Sequence, residues 1–375
     1  MSGKPVSEMQ GSSCLEDRLL EHVSKAIGGP VGRDDDVNKQ LNINKLLTFI
    51  RSVFDEFGIE LNVNSFYRWK TVSDLSKAID SGDHRNVPKL LELRKGDKQN
   101  PLILYAGGVS CFLEIKSIIE GISHNGAIYG MCMSDFALPC SSPATITHEV
   151  EASCSELWKS GIDEGVSLLG YSFGGLLALE VARKLRQNGQ DIRFLGLIDT
   201  PQSEHTWPAR VWIGMILKRV RRRLRKLATR SRSARKHGSE EAGRQPVPLQ
   251  RLVLQKLKLF VFPFVSPKAV IYPELAPEWC YDHTPRYLAS GRQLLRMKGL
   301  YSPKLYDGDL VFYRASSASL HDCDPYLIWN HLLPNARWVD VRGNHLSSIV
   351  GRNGEAIGQD ISRRLTNSGS KKLVA

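Results

Sequence analysis

Residues 166–177 read VSLLGYSFGGLL, an apolar run that passes through a glycine-flanked serine into a second apolar run. The first four residues have the continuous hydrophobicity of a buried strand, and residues 174–187 have helical periodicity. Between them lies the pattern G-x-S-x-G, centred on Ser172. The small residues Gly170 and Gly174 let the chain turn sharply enough to expose the serine hydroxyl at the start of the helix. This context predicts a nucleophile elbow.

Short apolar runs on both sides of this stretch indicate a β-sheet. The predicted strands are 102–105, 127–131, 166–170, 194–199, 309–314 and 337–341, and the predicted helices beside them are 174–187 and 354–365. Buried strands that alternate with helices are typical of an α/β fold with a mostly parallel sheet. The alternation stops between residues 199 and 309, and we predict a helical lid at about 203–305, because long insertions in such folds usually carry function.

The N-terminal part of the chain has a different pattern. Apolar residues recur at helical spacing over Asn38–Phe57, and a second short helix is predicted over Val72–Ile79. The segment 86–99 is polar and contains a proline and a glycine, which favours a linker. We therefore expect a small all-α domain over 1–85, a linker over 86–99 and an α/β domain over 100–370.

Composition limits the class of protein. The chain has 375 residues, of which 42% are hydrophobic and 24% charged, as in a globular protein. No stretch approaches the roughly 18 apolar residues of a membrane-spanning helix, and the first 33 residues lack the apolar core of a signal peptide. The seven cysteines form no CxxC pair, which argues against a disulfide framework or a zinc site and favours a cytoplasmic location.

The net charge of +12 comes from one segment. Lys218–His237 holds 11 lysines and arginines and no acid, and the remainder has 40 basic residues against 39 acidic ones. A nucleic-acid-binding fold is expected to spread its basic face over ordered elements, which this chain does not do. An amphipathic basic helix that contacts a membrane or a nucleic acid through 218–237 is the alternative to a solvated lid segment. Serine, threonine, glycine and arginine dominate 228–244, which favours the solvated segment.

A serine hydroxyl needs an adjacent base to act as a nucleophile. His345 is the histidine that follows the strand 337–341 near the end of the chain, where the order serine, acid, histidine places that base. The base needs a buried acid to orient it, and Asp199 ends the strand after the elbow helix. Asp322 and Asp324, ahead of the last strand, are alternative acids. The predicted catalytic residues are Ser172, Asp199 and His345.

A tetrahedral intermediate also needs two backbone N–H donors for its oxyanion. Phe173, the residue after the nucleophile, is predicted to provide one. The other is expected from the glycine turn after the first predicted strand. There Gly108 is favoured, and Gly107 and Val109 remain open.

From about residue 100 to 370 the sequence resembles the thioesterase domains of nonribosomal peptide and polyketide synthases. The resemblance is carried by LLGYSFGG at 168–175, LALEVA at 177–182, LGLIDTP at 195–201 and GNH at 343–345, with Trp329 at a recurring position. It implies an α/β-hydrolase fold and release of a chain from a phosphopantetheine thioester. The family places its acid where Asp199 falls, which supports Asp199 over Asp322 and Asp324.

The N-terminal domain resembles a carrier-protein domain in FGIEL at 57–61 and TVSDL at 71–75. Carriers hold phosphopantetheine on a serine, but the corresponding stretch here, 40–45, reads QLNINK and has none. The resemblance therefore implies a degenerate carrier domain that serves in docking or stability. The substrate is expected on the phosphopantetheine arm of a separate carrier protein or synthase module, and the enzyme itself is expected to need no cofactor and no metal.

These patterns together predict a serine thioesterase of secondary-metabolite biosynthesis. It would release an acyl, peptidyl or polyketide chain from its carrier by hydrolysis or cyclisation. One alternative is an acyl or aminoacyl transferase between carriers, for which a cysteine nucleophile would be favoured over Ser172. Another is a non-catalytic adaptor that binds synthases, against which the intact serine, aspartate and histidine argue.

Overall fold

The computed structural model describes residues 12–134, 145–224, 283–317 and 323–370, apart from 109, 163, 204–205, 212, 216, 219 and 222–223. No helix within these ranges is long and apolar enough to cross a membrane.

The N-terminal region is helical, as predicted. Its helices are α1 (Ser12–Ile27), α2 (Ile43–Phe57), α3 (Ser65–Arg68) and α4 (Val72–Asp80). The predicted helix over Asn38–Phe57 begins later, because the Asn42 side chain caps α2 by accepting a hydrogen bond from the Lys45 N–H at 3.0 Å. A separate 3₁₀ turn precedes this cap at Val37–Lys39.

The core of the helical region extends into the second domain. Leu19, Phe49 and Leu75 are almost fully buried in it, and Cys111 and Leu113 pack into the same cluster. The two parts of the chain therefore share one apolar cluster at their boundary.

Within the described residues, seven strands form a single mixed sheet. They are β1 (Leu90–Arg94), β2 (Asp97–Tyr105), β3 (Gly126–Met131), β4 (Val166–Tyr171), β5 (Ile192–Ile198), β6 (Leu310–Ala315) and β7 (Ala336–Val341). Their order is β1-β3-β2-β4-β5-β6-β7, with β1 antiparallel to β3 and all other pairs parallel. The predicted α/β fold with a mostly parallel sheet is confirmed.

The prediction of a linker over 86–99 is wrong for most of that segment. It contributes all of β1 and the first residues of β2. In β1 only Leu91 is buried, where it pairs with Gly130 of β3, because β1 is an edge strand with one face in solvent. The polar residues that suggested a linker are the exposed positions of these strand ends.

Helices cover both faces of the sheet. They are α5 (Lys116–Gly121), α6 (Ile146–Lys159), α7 (Phe173–Gln187), α8 (Pro285–Leu300), α9 (Pro325–Trp329) and α10 (Gly351–Ser370). One core cluster joins α6, α7 and α9 to the sheet, and a second joins α5 and α10 to its opposite face. The result is a three-layer arrangement whose parallel strands end at one common edge.

The predicted lid is described only at its two ends. Residues 225–282 lie outside the described residues, and α8 is the described C-terminal part of the 203–305 segment. Most of the basic segment 218–237 lies outside them as well.

Candidate active site

The turn from β4 into α7 holds Ser172 in an unusual backbone conformation, with φ 53° and ψ −124°. Its N–H donates to the carbonyl of Ile198 at 2.9 Å, which ties the turn to β5. A Cβ on Gly170 would lie 2.5 Å from the Gly174 oxygen, and a Cβ on Gly174 would collide with the Tyr105 carbonyl. Only glycine fits at these two positions, as the sequence pattern predicts. The strain of such a conformation is about 1–3 kcal/mol and is characteristic of functional turns.

Ser172, His345 and Asp199 form one hydrogen-bonded chain. The imidazole Nε2 of His345 lies 2.9 Å from the Ser172 hydroxyl, and Nδ1 lies 2.7 Å from Oδ2 of Asp199. All three residues are buried. An ionised carboxylate can only accept, so Nδ1 carries the proton and Nε2 is left to accept from the serine. This is the tautomer that a general base toward Ser172 requires.

Asp199 is held between β5 and β6. Its backbone has φ 42°, its N–H donates to the Tyr313 carbonyl at 2.8 Å, and its Oδ1 accepts from the Ala315 N–H at 3.4 Å. Oδ2 is therefore left to face the imidazole. The Trp329 indole N–H donates to the carbonyl of Thr200 at 2.8 Å and fixes the segment directly after this acid.

Of the two alternative acids, Asp324 is engaged away from the histidine. Asp324 caps α9 by accepting from the Tyr326 N–H at 2.9 Å, and it forms an ion pair with Arg314 at 3.0 Å. Asp322 lies outside the described residues.

The loop that carries His345 is shaped by its neighbour Asn344. The Asn344 side-chain oxygen accepts from the N–H groups of Leu346 at 3.0 Å and Ser347 at 2.9 Å. In return, the Asn344 N–H donates to the Ser347 hydroxyl at 2.9 Å. These local bonds fold the chain back on itself just after β7 and hold the histidine backbone in place.

Tyr171 is a site residue that the sequence analysis did not identify. Its ring stacks on the imidazole of His345, with centroids 5.0 Å apart and planes 28° apart. Its hydroxyl donates to the backbone carbonyl of His345 at 2.9 Å. Burial raises the pKa of Tyr171 above its ordinary value, and the charges of Glu114 and Asp199 raise it further, so the phenol stays a neutral donor. The signal available was its position immediately before the serine.

Glu114 is a nearby acid that forms no ion pair with the residues that the structure describes. It lies in a short 3₁₀ helix, Phe112–Ile115, and burial raises its pKa to about 7. Its charge contributes to the raised pKa of Tyr171.

The turn after β2 borders the nucleophile. A Cβ on Gly107 would lie 3.1 Å from the Cβ of Ser172, and Gly108 follows with φ 42°. Phe173 is the first residue of α7, and its N–H has no acceptor within the helix. Val109 lies outside the described residues. The two predicted donor segments therefore both lie next to Ser172.

Burial makes the thiols of Cys111, Cys132, Cys154 and Cys323 poor competing nucleophiles. Burial raises the pKa of Cys132 to about 12 and those of Cys154 and Cys323 to about 11, so these thiols stay protonated near neutral pH. In the same ranges no group of three or more histidine, cysteine, aspartate and glutamate side chains is arranged to hold a metal ion.

The comparisons with known proteins agree with one another on the class of protein. Residues 139–211 match the family model described as the thioesterase domain. CymA of Salinispora arenicola, described as a probable non-canonical nonribosomal peptide synthetase, is 26% identical over 180 residues, which cover 47% of this chain and 2% of CymA. The nonribosomal peptide synthetase pngA of Aspergillus terreus is 28% identical over 216 residues, which cover 53% of this chain and 22% of pngA.

A solved structure of holo-AB3403, a four-domain nonribosomal peptide synthetase bound to AMP and glycine, has a similar fold. It covers 97% of this chain and 27% of its own, with a TM-score of 0.51 and 21% identity. The chain thus spans a small part of the synthetases it matches. The resemblance stated from the sequence is confirmed: the chain contains a thioesterase-domain match, and its relatives are synthetases of the nonribosomal peptide type.

Proposed function

We propose that this protein is a serine thioesterase that releases an acyl, peptidyl or polyketide chain from the phosphopantetheine arm of a carrier protein. The observation that carries the proposal is the chain of hydrogen bonds from Asp199 through His345 to Ser172 at the N-terminus of α7. The thioesterase-domain match supports the choice of a thioester as the scissile bond.

The first half-reaction transfers the chain to the enzyme. Ser172 Oγ attacks the thioester carbonyl while His345 Nε2 takes its proton, and Asp199 stabilises the imidazolium through Nδ1. The oxyanion is stabilised by the N–H groups of Phe173 and Gly108, aided by the positive end of α7. The C–S bond then breaks, His345 returns the proton to the departing thiol, and the chain is left as an ester on Ser172.

The second half-reaction frees the chain. His345 takes a proton from a water molecule, which attacks the ester and releases a carboxylic acid, and Ser172 recovers its proton. If a hydroxyl or amine of the chain itself attacks instead, the same steps release a ring. Both routes balance without a cofactor or an external oxidant.

We propose that the substrate arrives on a carrier other than residues 1–85, which keep the carrier-like helices without the serine. The substrate's carrier is then a separate protein or synthase module. The synthetase relatives support a partner of this kind.

Replacement of Ser172 by alanine tests the proposal. We expect Ser172→Ala to keep its thermal unfolding temperature and to lose about 10⁴- to 10⁶-fold in the turnover of acyl thioesters, because the nucleophile is gone. The assay uses N-acetylcysteamine thioesters and acyl groups loaded on a carrier protein. A fluorophosphonate should label Ser172, and labelling should slow in His345→Ala.

Ser76→Ala is the matched control, since Ser76 is a buried serine in α4 of the helical region. It should keep wild-type turnover. Near-normal activity of a folded Ser172→Ala protein would contradict the serine mechanism.

A further inference from the structure

Asn64 of the helical region makes two hydrogen bonds to the loop that follows β2. Its side-chain NH₂ donates to the carbonyl of Ser110 at 2.7 Å, and its side-chain oxygen accepts from the N–H of Phe112 at 3.1 Å. The side chain is almost completely buried, with 2% of the residue exposed. One amide thus pairs with the backbone on both sides of Cys111, as a neighbouring strand would.

The segment held in this way is a strained turn. Gly108 has φ 42°, and Ser110 has φ 64°, which is rare for a residue with a side chain. Ser110 is also tied by its N–H to the carbonyl of Gly107 at 2.7 Å and by its hydroxyl, which accepts from the Met133 N–H at 3.3 Å. A turn of this shape persists only where its surroundings hold it.

The same turn borders the nucleophile. Gly107 lies against Tyr171 and Ser172 so closely that a Cβ there would be 3.0 Å from the tyrosine ring and 3.1 Å from the serine Cβ. A continuous set of contacts therefore runs from Asn64 through Ser110 and Gly107 to Ser172.

We propose that Asn64 is a positioning residue for the oxyanion hole. By holding the carbonyl of Ser110 and the N–H of Phe112, it keeps the turn at Gly108 in the conformation that points a backbone N–H at the reacting carbonyl. The helical region then takes part in catalysis in cis, as a support for the thioesterase site. The inference rests on the proposed function, because it assumes an oxyanion formed at Ser172.

A second contact between the two regions allows this role to be separated from simple bracing. The Lys116 ammonium group donates to the carbonyls of Asn38 at 2.7 Å and Lys39 at 3.2 Å. Lys116 lies in α5, and its bonds join the two regions without touching the turn. Its loss should weaken the boundary and leave the oxyanion donor in place.

The experiment compares Asn64→Ala and Asn64→Asp with Lys116→Met. Asn64→Asp keeps an acceptor for the Phe112 N–H and loses the donor to Ser110. We expect both Asn64 variants to lose about 10- to 100-fold in kcat with KM within about 2-fold, because a displaced donor weakens stabilisation of the transition state only. Lys116→Met should keep kcat. Rates are taken per active site titrated with fluorophosphonate, so unfolded protein does not count.

A boronic acid inhibitor gives a second readout, since its tetrahedral adduct on the serine presents an oxyanion-like oxygen. Its affinity should fall in parallel with kcat in the Asn64 variants, whereas a purely structural role would leave it unchanged. Wild-type kcat and boronate affinity in both Asn64 variants would overturn the inference. If the Ser172→Ala protein instead turns over thioesters at the wild-type rate, the proposed function itself is overturned.

Discussion

At the scale of single residues, backbone strain is concentrated at the candidate site. Within the described part of the chain, the residues other than glycine with positive φ are Ser110, Ser172 and Asp199. Ser172 is the proposed nucleophile, Asp199 is the proposed acid, and Ser110 lies in the turn that borders Ser172. Each such conformation costs of order 1–3 kcal/mol and persists only where the surrounding contacts hold it. The distribution of strain therefore supports the assignment of the site independently of the sequence motif.

Asp199→Asn tests the acid. The amide would offer an N–H or a weaker acceptor to Nδ1, so the imidazole loses both its orientation and the stabilisation of its charged form. We expect the variant to fold and to lose about 10⁴-fold in kcat. Steady-state turnover of an acyl thioester, with circular dichroism to establish folding, measures both effects.

Asp324→Asn is the control, because Asp324 caps α9 and pairs with Arg314. Asparagine is also a good helix cap, so stability should fall by no more than about 1 kcal/mol and kcat should stay near the wild-type value. A loss of activity in Asp324→Asn with normal turnover in Asp199→Asn would show that the acid lies before the last strand.

The sequence predicted those site residues whose roles follow from their order along the chain. Ser172 has a local motif and His345 follows from the order of the strands, whereas Asp199 is favoured over Asp322 and Asp324 by the resemblance to the thioesterase domains. Tyr171 stands next to the motif, but its contact with the histidine, like the contact of Asn64 with the glycine turn, does not follow from order along the chain. Their partners lie 174 and 46 residues away, at His345 and Ser110, and only the folded chain brings them together.

At the scale of secondary structure, the sequence best predicts the strands whose residues are buried on both faces of the sheet. The strand β4 is buried at every position, so its apolar run was unmistakable. The edge strand β1 has a single buried position, Leu91, and its sequence predicts a linker instead. The helix α1 was also missed, although Leu15, Leu19 and Val23 recur at four-residue spacing and are buried. That spacing was a usable signal within an otherwise polar stretch.

Gly174→Ala tests how closely α7 approaches β2. A Cβ at this position would collide with the carbonyl oxygens of Tyr105 and Ala106, which are backbone atoms at the end of β2 and cannot turn away as a side chain could. We expect the free energy of unfolding, measured in urea, to fall by about 1–3 kcal/mol, together with a loss of turnover as the elbow shifts.

Gly29→Ala provides the comparison, because a Cβ on Gly29 would meet no atom of the described residues within 4 Å. Its stability and turnover should match those of the wild type. A Gly174→Ala protein as stable and active as Gly29→Ala would mean that the helix can move away from β2 without disturbing Ser172.

At the scale of the whole molecule, the helical region is bound directly to the α/β region. The two share an apolar cluster, Asn64 bonds to the turn beside the nucleophile, and Glu60 accepts a hydrogen bond from the Arg286 N–H of α8 at 3.0 Å. Because β1 and β2 occupy most of the expected linker, little of 86–99 is left as an irregular tether between the two regions. This placement agrees with a supporting role and with a substrate held by another protein.

Because residues 40–45 contain no serine, we predict that residues 1–85 accept no phosphopantetheine. The exposed residues where α2 begins are Asn42 and Asn44, and the side chain of Asn42 is used to cap the helix. Ser52 lies within α2, and its hydroxyl donates to the Phe49 carbonyl at 2.8 Å. A transferase would have to unwind this helix to reach it. Intact-protein mass spectrometry after incubation with a promiscuous phosphopantetheinyl transferase and coenzyme A should therefore show no added mass.

A functional carrier protein in the same incubation establishes that the transferase is active. A mass gain of one phosphopantetheine group, mapped by proteolysis to residues 1–85, would contradict the prediction. It would place the thioester on the same chain as Ser172, and the helical region would then have to leave the contacts of Asn64 and Glu60 for its arm to reach the site. The mass measurement therefore tests both the missing attachment site and the fixed position of the helical region.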